Sequence, residues 1–378
     1  VNIGFVSIFD EEDHKAWSGL VKSMYDNLKL HYPNMISIKG LNVANSKKNV
    51  FKKVLNKFFL NKYIEIYRDE SVLKDFGIQI DHFILKNNIE LIFAPGSFHL
   101  AFVNSKIKKI IFIDATFQNL LGSSDWYKNY SKNEIDYLNQ IEKNVFDKCD
   151  NVICATNWAE ESLLNFYKIE QARIKVIPFG ANISFDTNVN KIEILKLKKF
   201  EQLNLMFIGV DYKRKGLEKV LETVKIINEI HKVKCKLIII GSNPKIESKF
   251  KEFVTVYGFL DKKDKKQFDL FEKLMFESHF LFMPSISEAF GLVYAEASYY
   301  GVPSIGHKID GAQYVIRDGI NGYTLPKEST PNDFAKIILE YFEEKKYKSL
   351  AKSTLKEYNE NLNWENSFKK VKEIIDAI

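Results

Sequence analysis

The feature that most constrains this fold is an alternation along the whole chain. Apolar runs of strand length, such as Leu237-Ile238-Ile239-Ile240, alternate with amphipathic segments of helical period. Strands are expected at 3–8, 35–40, 90–94, 109–113, 151–154, 205–209, 236–240, 254–258, 279–283, 303–306 and 322–325. Helices are expected between them, at 14–31, 70–87, 132–148, 157–168, 215–231 and 263–275. Such alternation builds parallel sheets covered by helices on both faces. About eleven strands are too many for one doubly wound unit of usual size, so two units in series fit 378 residues better. The polar stretch 182–191 is the expected joint, between a strand ending at Pro178 and the strand that starts at Leu205. The segment after Trp364 reads as a final helix.

Composition excludes several classes. At 46% apolar and 28% charged residues, the chain is neither disordered nor fibrous. No apolar run reaches the roughly 18 residues of a membrane span. The first residues read as a β-strand rather than a leader. Three cysteines, Cys149, Cys154 and Cys235, form no C-x-x-C pair, which suggests a reducing cytoplasm and neither a zinc site nor a disulfide framework. The net charge of +6 is carried by lysine, with only four arginines, Arg68, Arg173, Arg214 and Arg317, and argues for no nucleic-acid partner. In so lysine-rich a chain, a lysine carries less information than an arginine.

Absent motifs narrow the field further. Without G-x-G-x-x-G or G-x-x-x-x-G-K-[ST], a nicotinamide or flavin Rossmann enzyme and a P-loop are disfavoured. Without D-x-D, a metal-gripped diphosphate is disfavoured too. The acidic run at residues 10–13 reads as a solvated loop.

Two segments carry chemistry. In Pro284-Ser285-Ile286-Ser287-Glu288-Ala289-Phe290-Gly291-Leu292, a strand empties into a loop, and a helix is expected to start near Ala289 or Phe290. Glu296 lies eight residues after Glu288, about 12 Å along a helix axis, so one elongated ligand could touch both carboxylates. The amides of Phe290, Gly291 and Leu292 would favour a phosphate, and Gly291 would let it approach closely. In Gly209-Val210-Asp211-Tyr212-Lys213-Arg214-Lys215-Gly216, two adjacent cations follow another strand. An arginine fork beside a lysine point charge suits a diphosphate. Taken singly, each segment also reads as an ordinary solvated turn or surface helix.

Together they change the reading. The chain resembles the retaining glycosyltransferases of family 4, which have the GT-B fold: two Rossmann-like doubly wound domains facing a central cleft. Besides the Glu288-to-Glu296 spacing and the 209–216 loop, the resemblance includes Tyr299-Tyr300-Gly301-Val302-Pro303 and Asp318-Gly319-Ile320-Asn321-Gly322-Tyr323. In the first half it includes Ala16-Trp17-Ser18-Gly19, Cys149-Asp150-Asn151-Val152-Ile153, Trp158-Ala159 and Pro178-Phe179-Gly180-Ala181-Asn182. The domains are placed at 1–185 for the acceptor and 186–361 for the nucleotide sugar. A terminal helix, 362–378, is expected to pack back on the first domain.

The resemblance implies roles. Glu296 accepts from ribose hydroxyls, and Glu288 holds the donor sugar near its reacting carbon. Arg214 and Lys215 neutralise the departing diphosphate. Gly19 brings the first domain's backbone to the same diphosphate as the cleft closes. Phe259 and Leu260 lie where the family places the base. Two departures stand out: many relatives have Gly-Arg where this chain has Gly209-Val210, and many have a histidine where this chain has Asp114. Asp114 could serve the acceptor hydroxyl, or only cap a helix beginning near Ala115. His99 is read as structural.

The implied reaction moves a hexose-type sugar, with retention, from a UDP- or GDP-linked donor to a glycan, lipid or protein acceptor. It would serve cell-surface polysaccharide or glycoconjugate synthesis, lipopolysaccharide among them, with no cofactor and no metal. The implied location is the cytoplasm, peripheral on the cytoplasmic face of a membrane. A basic aromatic stretch, 47–62, could rest on anionic lipid. The alternatives are a catalytically silent GT-B sugar-nucleotide-binding protein and a GT-B nucleotide-sugar epimerase. A silent binder would be expected to have lost one of Glu288, Arg214, Lys215 or Glu296, and the chain has all four. An epimerase need not keep the Glu-x7-Glu spacing beside an Arg-Lys loop.

Overall fold

The structure is a computed structural model that describes residues 1–13, 16–41, 66–123, 130–183, 190–196 and 198–378. These fall into two compact units, Val1–Pro178 with Ser367–Ile378, and Phe179–Asn366. Each contains one six-stranded sheet whose pairings are all parallel. The basic aromatic stretch 47–62 lies outside the described residues, as does part of the polar joint at 182–191.

In unit 1 the strands are β1 (Ile3–Phe5), β2 (Ile36–Ser37), β3 (Leu91–Pro95), β4 (Lys108–Ile113), β5 (Asn151–Cys154) and β6 (Ile174–Val176). The helices are α1 (Leu20–His31), α2 (Glu70–Asn87), α3 (Phe117–Ser123), α4 (Lys132–Lys148) and α5 (Asn157–Asn165). The strand order β2-β1-β3-β4-β5-β6 reverses between β1 and β3. All five residues of β3 are buried, as expected for a strand covered on both faces. Local chemistry marks the helix ends. The Asp69 side chain accepts from Ser71 N at the start of α2, and Ser131 and Glu134 form a capping box at the start of α4. Helix α2 turns Val72, Leu73, Phe76, Ile80, Phe83 and Ile84 into the core, where Ile92, Ile111 and Val152 meet them. The last segment joins this unit: Ser367 Oγ donates to Pro178 O (2.6 Å), Tyr32 OH donates to Asp376 Oδ1 (2.7 Å), and the Phe368 ring lies 6.0 Å from Phe93.

In unit 2 the strands are β7 (Leu203–Ile208), β8 (Cys235–Ile240), β9 (Val254–Gly258), β10 (Phe280–Phe282), β11 (Ser304–His307) and β12 (Gly322–Leu325). The helices are α6 (Lys191–Lys196), α7 (Leu217–Glu229), α8 (Lys265–Glu277), α9 (Leu292–Tyr299), α10 (Ala312–Val315), α11 (Pro331–Phe342) and α12 (Glu344–Glu360). The final helix, α13 (Trp364–Asp376), begins here and continues into unit 1. The order β12-β11-β10-β7-β8-β9 reverses between β7 and β10. Ligands of open α/β sheets bind at the carboxyl ends of the strands flanking such a switch point.

The expected strands form close to their expected places, and α2 and α4 match their expected spans residue for residue. Several helix starts differ: the helix expected from residue 14 begins at Leu20, after the left-handed residues Trp17, Ser18 and Gly19, and those expected from 215 and 263 begin at Leu217 and Lys265. The helix expected from Ala289 or Phe290 begins at Leu292, because Gly291 before it has φ +81 and breaks the helical backbone. The helix expected near Ala115 begins at Phe117.

Candidate active site

The site in unit 2 follows from one pairing. Strand β10 lies beside β7, with Phe280 opposite Leu205 and Leu281 opposite Met206. The loops leaving these strands, 209–216 and 283–291, therefore emerge side by side at the switch point. Ile286 N donates to Arg214 O (2.8 Å) and ties them together. Gly216 makes this approach possible. Its φ is +80, and a Cβ there would lie 2.2 Å from Pro284 O, so any side chain would force the loops apart.

Arg214 and Lys215 both turn toward Glu288. Lys215 Nζ bonds Glu288 Oε2, and Arg214 Nη1 lies 4.0 Å from the same oxygen. Arg214 Nη1 also donates to Ser287 O (2.6 Å), and its Nε faces Asp211 Oδ2 at 3.6 Å. The Lys215 and Glu288 side chains are nearly buried, whereas Arg214 keeps about a third of its surface exposed. A nearly buried charge needs a partner of opposite sign, which explains the convergence. Glu288 is held from behind: its N donates to Asp310 Oδ2 (3.1 Å), and its carbonyl accepts from Gly311 N (3.1 Å). Burial pushes the Asp310 carboxyl above its usual range. Glu288 thus stands in a pinned loop four residues before α9, and the helical spacing to Glu296 does not describe it.

Helix α9 carries the second carboxylate. Glu296 is buried, and Lys262 Nζ binds its Oε2 at 2.6 Å. Phe290 turns inward, with its ring 5.0 Å from Phe179, and Leu292 is half-buried. Tyr294 N donates to Gly291 O (2.9 Å) in the first turn of α9. Phe259 and Leu260 follow the end of β9, with Phe259 exposed and Leu260 half-buried. Gly258 O accepts from Gly241 N (2.7 Å), which brings the ends of β9 and β8 together.

Unit 1 holds the remaining predicted residues. Asp114 directly follows β4 at its carboxyl end and is half-buried. The cap of α3 is Thr116: its Oγ1 accepts from Asn119 N (3.2 Å), and Asn119 Oδ1 accepts from Thr116 N (3.0 Å). Gly19 caps α1 with φ +84, after Trp17 at +46 and Ser18 at +57, three left-handed residues in a row. His99 is buried, and its Nε2 sits 3.2 Å from Val6 O; burial holds its pKa down at about 4, a core histidine. In the acidic loop, Glu11 is buried and accepts from Ser37 Oγ (2.8 Å), while Asp10 Oδ1 caps Glu12 N (2.8 Å). The loop is therefore a structured turn rather than a wholly solvated run.

Residues 191–358 match the model of one protein family. That family is the glycosyl transferases, group 1. The match falls within unit 2 and covers less than half of the chain. Over 60% of its length the chain is 27% identical to an uncharacterized 41.2 kDa protein from the cps region of Klebsiella pneumoniae, of which it covers 59%. The chain thus spans under two thirds of the length of that curated relative. Among solved structures, sucrose-phosphate synthase from Thermosynechococcus elongatus superposes with a TM-score of 0.72 at 14% identity, covering 100% of this chain and 99% of that one. An Anabaena protein in complex with UDP and glucose superposes with a TM-score of 0.66 at 15% identity, covering 100% of both chains. At such identities the likeness concerns the fold, and the fold is GT-B.

Within the segment that matches the group 1 model, sequence reading missed three residues. Asp310 follows β11, whose neighbour β10 leads to Glu288; an Asp-Gly pair after an apolar run was its one signal. Ser287 acts through its carbonyl, which no side-chain pattern reveals. Lys262 carried no signal among so many lysines.

Proposed function

We propose that this chain is a retaining glycosyltransferase of family 4, transferring a hexose-type sugar from a UDP- or GDP-linked donor to a glycan, lipid or protein acceptor. The observation that carries the proposal is the convergence of Arg214 and Lys215 on Glu288 at the switch point of a group 1 glycosyl transferase segment. Breaking a glycosyl–phosphate bond builds negative charge on the diphosphate and positive charge on the sugar. In the proposal, Arg214 and Lys215 answer the first charge and Glu288 faces the second. With both cations in place, neither metal nor cofactor is invoked. Glu296 accepts from the ribose, Phe259 and Leu260 flank the base, and the backbone around Phe290, Gly291 and Leu292 faces the phosphates. In unit 1, Asp114 takes up the acceptor proton, and Gly19 keeps the phosphate-side role that the resemblance gives it.

The Klebsiella relative from a cps region supports cell-surface polysaccharide as the product class, and the Anabaena complex supports UDP as the nucleotide. Among the described residues, no helix is long and apolar enough to cross a membrane. Cytoplasmic residence, peripheral to a membrane, belongs to the proposal. Incubation with a panel of nucleotide sugars, with and without candidate glycan and lipid acceptors, tests it. Acceptor-dependent nucleotide release with the anomeric configuration kept is the expected result. Binding without release indicates a silent binder, and release of an isomerised sugar without an acceptor indicates an epimerase.

A further inference from the structure

The pairing of Lys262 with Glu296 has no part in the scheme above. Glu296 keeps only 9% of its side chain exposed, and among the described residues Lys262 is its only ion-pair partner, at 2.6 Å. The lysine is itself held in place, with its Nζ 4.5 Å over the centroid of the buried Phe271 ring. It belongs to the loop that carries Phe259 and Leu260, which is fixed on both sides of it. Asp261 N donates to Gln267 Oε1 (2.9 Å), and Lys263 N donates to Asp261 Oδ1 (3.0 Å). One side chain therefore links the loop after β9 to the carboxylate on α9.

A carboxylate offers about four acceptor sites, and one ammonium occupies one of them. The rest can receive two hydroxyls of a vicinal diol, provided the carboxylate keeps a single orientation. A buried carboxylate stripped of its cation is left as an uncompensated charge, with nothing on that side to hold its orientation.

We propose that Lys262 is a positioning residue for nucleoside recognition: it fixes the Glu296 carboxylate for the ribose diol and registers the Phe259–Leu260 loop against it. The inference rests on the ribose role proposed for Glu296.

The test is calorimetric binding of UDP and GDP, each beside its 2′-deoxy form, to wild type, Lys262→Met, Lys262→Gln and Lys262→Arg. The ratio of ribo to deoxy affinity is taken within each variant, so a general loss of stability does not move it. Wild type should favour one ribonucleotide over its deoxy form about tenfold, the scale of a hydrogen bond to a charged group. The ratio should fall below about twofold in Lys262→Met and Lys262→Gln and largely return in Lys262→Arg. A wild-type ratio retained in both neutral variants overturns the positioning role while leaving the ribose role of Glu296 intact. A wild type with no ribose preference, or with no nucleotide binding, overturns the ribose role and this inference with it.

Discussion

Two cations and one carboxylate carry the proposed chemistry at the residue scale. Lys215 pairs with Glu288, and Arg214 stands 4.0 Å from the same carboxylate with about a third of its surface open. In the proposed reaction a diphosphate, which carries more charge than one carboxylate, would draw both cations. Arg214→Ala and Lys215→Ala should therefore each lower turnover by more than about tenfold, as loss of a transition-state contact does. Glu296→Ala should mainly raise the nucleotide Kd, and Glu288→Ala should mainly lower kcat. Steady-state kinetics with calorimetric titration separates the two effects. Wild-type nucleotide affinity in Glu296→Ala would refute the ribose assignment.

At the scale of elements, the decisive features are the ends of strands and helices. Asp114 could have been only a cap, but Thr116 caps α3. The two residues should consequently separate by experiment. Thr116→Ala should cost about 1 kcal/mol of stability, as an N-cap loss does, seen as a lower Tm. Asp114→Asn should leave Tm nearly unchanged and slow transfer at least about tenfold, the scale of general-base loss. Full transfer activity in Asp114→Asn would remove it from the acceptor chemistry. The same reasoning explains why spacing alone misplaced Glu288. A left-handed Gly291 ends the loop and starts α9, so Glu288 is set by Asp310 and Gly311 rather than by helical rotation.

At the scale of the whole molecule, buried histidines couple folding to pH. Burial holds His99 at about 4 and His279 at about 3. As pH falls through about 6.5, the unfolded chain takes up protons that the folded chain refuses, so each histidine removes stability down to its folded pKa. For His99 that amounts to about 3 kcal/mol between pH 6.5 and 4. Glu142 and Asp310, raised by burial, act in the opposite sense over the acid range. The measurable quantity is thus a difference: Tm of His99→Asn should fall less than that of wild type between pH 7 and 5. Parallel profiles would show that His99 is not buried neutral. A second whole-molecule prediction concerns metal. In the proposed mechanism the two cations at the switch point would supply the charge that a divalent ion would bring, so transfer should survive chelation. Activity lost to a chelator and restored by Mg²⁺ or Mn²⁺ would return attention to the acidic loop at residues 10–13.

The sequence by itself determined the periodicity and hence the elements. Apolar runs such as Leu237 to Ile240 become strands because both faces of a parallel sheet are covered, and α2 and α4 end where their caps end. It also marked Arg214, Lys215 and Glu288 as candidates, because charges that follow apolar runs are a local pattern, and Glu296 through the Glu-x7-Glu spacing of the family the chain resembles. Only the tertiary structure decided what meets what. Glu288 lies 73 residues beyond Lys215, and the two touch because β10 pairs with β7 across the switch point. Glu296 and Lys262 meet across 34 residues, and Asp310 holds the Glu288 backbone across 22. A periodic pattern records how each segment buries its own surface. It carries no record of strand order, and strand order brings these side chains together.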